Sequence, residues 1–92
     1  MWDRHAIELP GNQSALVSAL AAATPPSAPL IGLLVHGGAL ALGDAEAKLD
    51  AVLSAWYPGI GGSQAIVDVL LGNYNPAGKE RTNTLNNFCI VM

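Results

Sequence analysis

Charge is scarce in this chain. Of its 92 residues only 12% are Asp, Glu, Lys or Arg, and just four are Lys or Arg. Four cations cannot build the basic stripe that neutralises a phosphate backbone, so the sequence reads as no nucleic-acid partner. The net charge of −3 points the same way. Cysteine occurs once, which excludes an intrachain disulfide framework. With only two histidines beside it, the ligand sets of a zinc finger or ribbon are missing, and neither metal nor cofactor is expected. No apolar run reaches the length of about 18 residues needed to span a bilayer. The nearest stretch, 28–43, is interrupted by Pro29, His36 and four glycines. The segment Ala15–Ala23 has the length of a signal-peptide core, but Asp3, Glu8 and Pro10-Gly11 precede it instead of basic residues. The sequence therefore carries no usable address for a compartment.

What the chain does have is apolar mass. Hydrophobic residues make up 51%. A domain of this size buries only about 60–65% of its unfolded surface. The composition thus exceeds what a lone globule of this length hides, and it is the opposite of a disordered tail.

The pattern along the chain is α/β. Leu16, Ala19, Leu20 and Ala23 recur at helical spacing. With Asn12 as N-cap and Thr24-Pro25-Pro26 as a stop, they predict a helix over 12–23. Leu30 to Val35 is a continuous apolar run of strand length, suited to burial on both faces, and Gly37-Gly38 closes it. Asp44 is placed to cap a helix over Ala45–Asp50. A second buried strand is expected over 51–56, closed by Pro58-Gly59. A third helix is expected from about Gly62 to Leu71. Its apolar side is Ile66, Val69 and Leu70, its wetter side Gln64 and Asp68, and Gly72-Asn73 ends it. Helix–strand–helix–strand–helix with short connections predicts parallel strands. Sheets usually carry about four to six strands, so two buried strands imply neighbours. The expectation is a partial parallel-sheet α/β sandwich of about two core strands and three helices, an incomplete domain. From Lys79 the composition turns polar and aperiodic, which predicts a flexible tail over 79–92.

Several groups could carry chemistry, and each has a plainer reading beside it. Hydrolysis of a glycoside needs two carboxylates converging across one bond. The acids are Asp3, Glu8, Asp44, Glu46, Asp50, Asp68 and Glu80. Glu46 and Asp50 fall four apart on the expected helix, side by side, where a solvated surface explains them as well. Gly61-Gly62-Ser63-Gln64-Ala65 faintly resembles a nucleophile elbow, and His36-Gly37-Gly38-Ala39 an esterase oxyanion hole. Yet Pro58–Gly62 separates Ser63 from the strand, and no histidine follows it to act as base. Ser63 reads as a helix-start residue, and His36 as a strand-end residue with its ring satisfied. Gly59-Ile60-Gly61-Gly62 lacks the spacing of a phosphate loop and reads as a strand-to-helix turn. Trp56-Tyr57 is either a pair of core aromatics or a platform for stacking a sugar. The ending Cys89-Ile90-Val91-Met92 has the form of a farnesylation signal at Cys89. Only Lys79 and Arg81 lie upstream as basic support. One lipid gives reversible attachment, so a membrane partner follows only if Cys89 is prenylated.

Ala55-Trp56-Tyr57-Pro58-Gly59 with Gly61-Gly62, followed by Ala65 through Gly72-Asn73-Tyr74-Asn75-Pro76-Ala77-Gly78, forms a long ordered signature. It resembles the C-terminal α/β-sandwich domain of glycoside hydrolase family 3, the β-glucosidases and β-xylosidases. Asp3-Arg4, Ile7, Leu9-Pro10-Gly11 and Gln13 are similar to that family's segment before its first helix, and lean toward the β-xylosidase branch. The resemblance covers about residues 2–79, so the expected domain portion is 1–78. It implies a carbohydrate substrate and retaining hydrolysis of terminal β-linked sugars by two carboxylates. It also implies that the nucleophile belongs to a barrel domain absent from this chain. The acid/base Glu would precede the position of Asp3, ahead of Met1. No residue here is therefore assigned a catalytic role, no substrate-binding residue is assigned either, and activity is expected to require the missing barrel. Two departures stand out. Ala39 replaces a common Pro after the double Gly, and Glu80-Arg81-Thr82 replaces the family's continuation. So abrupt a change is what a truncated or mis-spliced gene would produce.

Overall fold

The computed structural model describes residues 5–79 and 89–91. The architecture is α/β, as expected. Helix α1 spans Gln13–Ala23, strand β1 Ile31–Leu34, a 3-10 helix Gly43–Lys48 and strand β2 Ala51–Ser54. Helix α2 follows over Gly62–Leu70, then the short strands β3, Gly78–Lys79, and β4, Cys89–Val91. The two core strands pair in parallel, from Ile31 opposite Ala51 to Leu34 opposite Ser54. The sheet is wider than the two strands expected, with order β1-β2-β4-β3. Strand β4 runs parallel to β2, and β3 antiparallel to β4. Of the tail expected over 79–92, Lys79 and Cys89–Val91 stand in these strands. Residues 80–88 and 92 lie outside the described residues.

The core is small. Leu42, Ala45, Val52, Leu53 and Ala55 are its buried apolar residues. Central strand β2 supplies two of them, because it alone joins β1 to β4. Strand β1 is an edge strand: Gly32 and Leu34 are half-buried while Ile31 and Leu33 are exposed. The expectation of burial on both faces thus fails on that side. The narrow groove between the sheet and α2 is lined by Ile31, Val52, Leu53, Val69 and Leu70. Val69 is half-buried there, whereas Leu70 is exposed; Ile66, elsewhere on α2, is half-buried too.

Helix α1 forms where its spacing places it but turns differently. Leu16 and Leu20 face outward, and Val17, Ser18 and Ala21 are half-buried. The 3-10 helix contacts α1, and Lys48 Nζ donates to Ser18 Oγ at 2.6 Å across that contact. Asn12 holds the N-cap position without a side-chain capping bond. Its ψ of 18° departs from the extended backbone that aims a cap back at the helix. The helix stops at Thr24 as expected, where ψ of 126° turns the backbone extended ahead of Pro25, while the Thr24 amide at 2.8 Å and hydroxyl at 2.7 Å both donate to Leu20 O. The 3-10 helix begins at Gly43 (φ 54°), with Leu42 as its cap, so Asp44 lies inside the first turn. Among the described residues, no helix is long and apolar enough to cross a membrane.

Candidate functional site

The C-terminal ends of adjacent parallel strands are where open α/β sheets present ligand sites. Here β1 and β2 run out into Val35-His36-Gly37-Gly38 and Ala55-Trp56-Tyr57. His36 is pinned at both ring nitrogens. Nδ1 lies 2.6 Å from the carbonyl of Gly38, and Nε2 lies 2.8 Å from Ser54 Oγ. A carbonyl only accepts, so Nδ1 carries the proton and, in the neutral ring, Nε2 accepts from the Ser54 hydroxyl. This is the ring satisfaction expected of a strand-end histidine.

Serine, histidine and an orienting acceptor are the parts of a nucleophilic site. Burial decides against that use of them. Ser54 is 1% exposed, and no substrate carbonyl reaches its hydroxyl. The pair is a part-buried hydrogen bond that joins the ends of β1 and β2. Sequence reasoning missed Ser54. The available signal was a single hydroxyl inside an apolar strand, a group that must find a partner when buried.

Trp56 departs from the expectation of a strand reaching residue 56. Its φ is 52°, the one non-glycine positive value among the described residues. The turn ends β2 at Ser54 and lays the indole beside His36, with ring centroids 4.7 Å apart and planes inclined by 34°. Trp56 remains 40% exposed and Tyr57 77% exposed. Gly37 makes room for Tyr57, because a Cβ there would overlap the phenol ring. These aromatics form a surface shelf rather than core packing.

The remaining candidates are scattered. Ser63 is exposed in the first turn of α2, away from His36's partner. Gly59–Gly62 is the expected turn into α2, with Gly62 N donating to Gly59 O at 2.9 Å. Glu46 and Asp50 do not share a helical face, because the 3-10 helix ends at Lys48. Asp50 Oδ2 instead accepts from Leu30 N at 2.7 Å, at the head of β1. Asp68 Oδ1 accepts from Gln64 Nε2 at 3.0 Å and Asn73 Nδ2 at 3.4 Å. It borders an open hollow of about 470 Å³ with Val69, Tyr74 and Pro76. Glu8 stands in a parallel bridge with Ala41. Among the described residues, no three His, Cys, Asp or Glu side chains are grouped to hold a metal ion. Asp3 and Glu80 lie outside the described residues. Cys89 is placed by its backbone in β4, paired opposite Val52.

Residues 1–83 match the glycosyl hydrolase family 3 C-terminal domain. The chain belongs to that family. It is similar to a xylan 1,4-beta-xylosidase of Xylanibacter ruminicola, 44% identical over 77 residues, covering 84% of this chain and 9% of the relative. A periplasmic beta-glucosidase of Salmonella typhimurium is 42% identical over 73 residues, covering 79% and 9% respectively. A beta-xylosidase/alpha-L-arabinofuranosidase of Medicago sativa is 38% identical over 79 residues, covering 84% and 10%. The chain thus spans about a tenth of the length of the curated relatives it matches. No solved structure matches it. The family 3 domain portion accordingly contains the His36–Ser54 link and the aromatic shelf within its matched span.

Proposed function

We propose that this chain is a structural portion of a β-glycosidase that hydrolyses O-glycosyl bonds of β-linked sugars, and that it is catalytically inert by itself. Retaining hydrolysis needs an acid/base and a nucleophile about 5 Å apart across the scissile bond. The observation that carries the reading is the family match over 1–83, a span of about a tenth of the relatives' length, together with the structural bonds of Asp50 and Asp68. Asp50 holds the head of β1, and Asp68 holds two amides at the end of α2. Asp44 and Glu46 sit in the first turn of the 3-10 helix. The acids that cleave the bond belong to sequence outside this chain, the nucleophile on a barrel domain. The substrate is a β-xyloside or β-glucoside, in keeping with the relatives' activities.

A chimera tests the structural half of this reading. The matched segment of the Xylanibacter ruminicola xylosidase is replaced by this chain's residues 1–83. Aryl β-xyloside hydrolysis is expected to stay within about tenfold of the parent in kcat/KM, a change of about 1.4 kcal/mol. A folded chimera with no hydrolysis overturns the assignment.

A further inference from the structure

We infer that Trp56 and Tyr57 form a binding subsite that stacks a neutral pyranose ring. The inference rests on the glycosidase reading for its choice of sugar, and on the shelf's own geometry for the site. Left-handed φ in a bulky non-glycine residue costs about 1–3 kcal/mol and gathers at functional positions. Trp56 adopts it at a position where the residue keeps 40% of its surface exposed. The conformation instead places the ring on the rim of the parallel sheet. His36 backs it and is itself bonded at both ring nitrogens, so the indole has a fixed support on one face. Tyr57 extends the surface and adds a hydroxyl that can donate and accept.

The electrostatics narrow the ligand. From Leu30 to Gly43, and again from Ala51 to Val67, no Asp, Glu, Lys or Arg occurs. Neither a phosphate nor a carboxylate finds a counter-charge on these loops. A pyranose presents an apolar C–H face to a π-system and a rim of hydroxyls to an indole N–H, a phenol and backbone groups. That combination fits an aromatic shelf whose own loops carry no charge.

The test is an NMR titration of the full chain, with the indole Nε1–H as probe. Trp2→Phe removes the second indole signal and identifies that of Trp56. Methyl β-xylopyranoside and methyl β-glucopyranoside are expected to shift it saturably, with a dissociation constant on the order of 10 mM. Xylitol offers hydroxyls without a ring face and is expected to leave it still. Trp56→Gly keeps φ 52° accessible while deleting the indole. In that variant, shifts of the Tyr57 and Gly38 amides are expected to weaken about tenfold or more. Tyr57→Ala is expected to weaken the indole response without altering the rest of the spectrum.

Three results overturn the subsite: no shift at saturating glycoside, an equal response to xylitol, or undiminished binding in a folded Trp56→Gly. Binding of a proline-rich peptide in place of the glycosides overturns it as well. Failure here is a silent titration, whereas failure of the functional reading is a folded but dead chimera, so the two are told apart.

Discussion

Among the described residues Ser54 is the buried polar side chain, and its hydroxyl is hydrogen-bonded to His36 Nε2. Ser54→Ala removes the donor and leaves Nε2 without its partner in a part-buried position. Urea denaturation is expected to show a loss of about 1 kcal/mol, with the slope unchanged. Ser63→Ala, on the exposed start of α2, is expected to stay within about 0.5 kcal/mol of the parent. A larger loss at Ser63 than at Ser54 contradicts the assignment of the two serines. At this scale the sequence was half legible. His36 at a strand end predicts a satisfied ring, but its partner lies 18 residues away, across a parallel pairing that local pattern does not reveal. The left-handed turn at Trp56 was not legible at all, since glycine and asparagine, not tryptophan, signal that conformation.

Elements were most legible where chain chemistry is local. Gly72-Asn73 predicts the end of α2. Gly72 takes φ 78°, its amide donates to Val69 O at 3.1 Å, and the Asn73 amide donates to Asp68 O at 2.8 Å. Those are the two bonds of a Schellman cap. Gly72→Ala forces a Cβ into left-handed backbone and is expected to cost about 1–2 kcal/mol in thermal or urea melts. Gly38→Ala, at a glycine with open space and ordinary φ, serves as the comparison and is expected to change little. Elements were least legible where tertiary contacts choose the face. Leu16 and Leu20 predict the inward side of α1, yet the half-buried side is Val17, Ser18 and Ala21, where Lys48 reaches Ser18. The acid pair Glu46 and Asp50 depended on an α-helix through residue 50. The tighter helix stops at Lys48 and frees Asp50 to receive the Leu30 amide. Asp50→Ala is expected to raise amide exchange at Leu30 about tenfold or more while leaving α2 unaffected. An unchanged Leu30 rate contradicts the bond.

At the scale of the molecule, apolar surface outruns the core. A folded monomer of this mass exposes about 5,000 Å². This chain exposes 6849 Å². Ile31 and Leu33 stand exposed along edge strand β1 and Val35 just past its end, and Leu16 and Leu20 along α1. A flat, uncharged, apolar edge is a site of self-association. Light scattering is expected to show higher-order species for the parent chain, and Leu33→Lys is expected to shift the population toward monomer. A monodisperse parent chain contradicts this account. The excess was legible in composition alone, since 51% apolar residues in 92 positions exceed what so small a fold covers. The short strands β3 and β4 were not, because two- and three-residue strands carry no periodicity to read.

The central claim is that a family 3 domain portion carries the scaffold and not the bond-breaking acids. Release of nitrophenol from aryl β-xyloside and β-glucoside by the purified chain is the most direct measure of it. The rate is expected to equal that of buffer alone at every substrate concentration. Saturable release that copurifies with the chain and vanishes in Asp50→Asn or Asp68→Asn would contradict it.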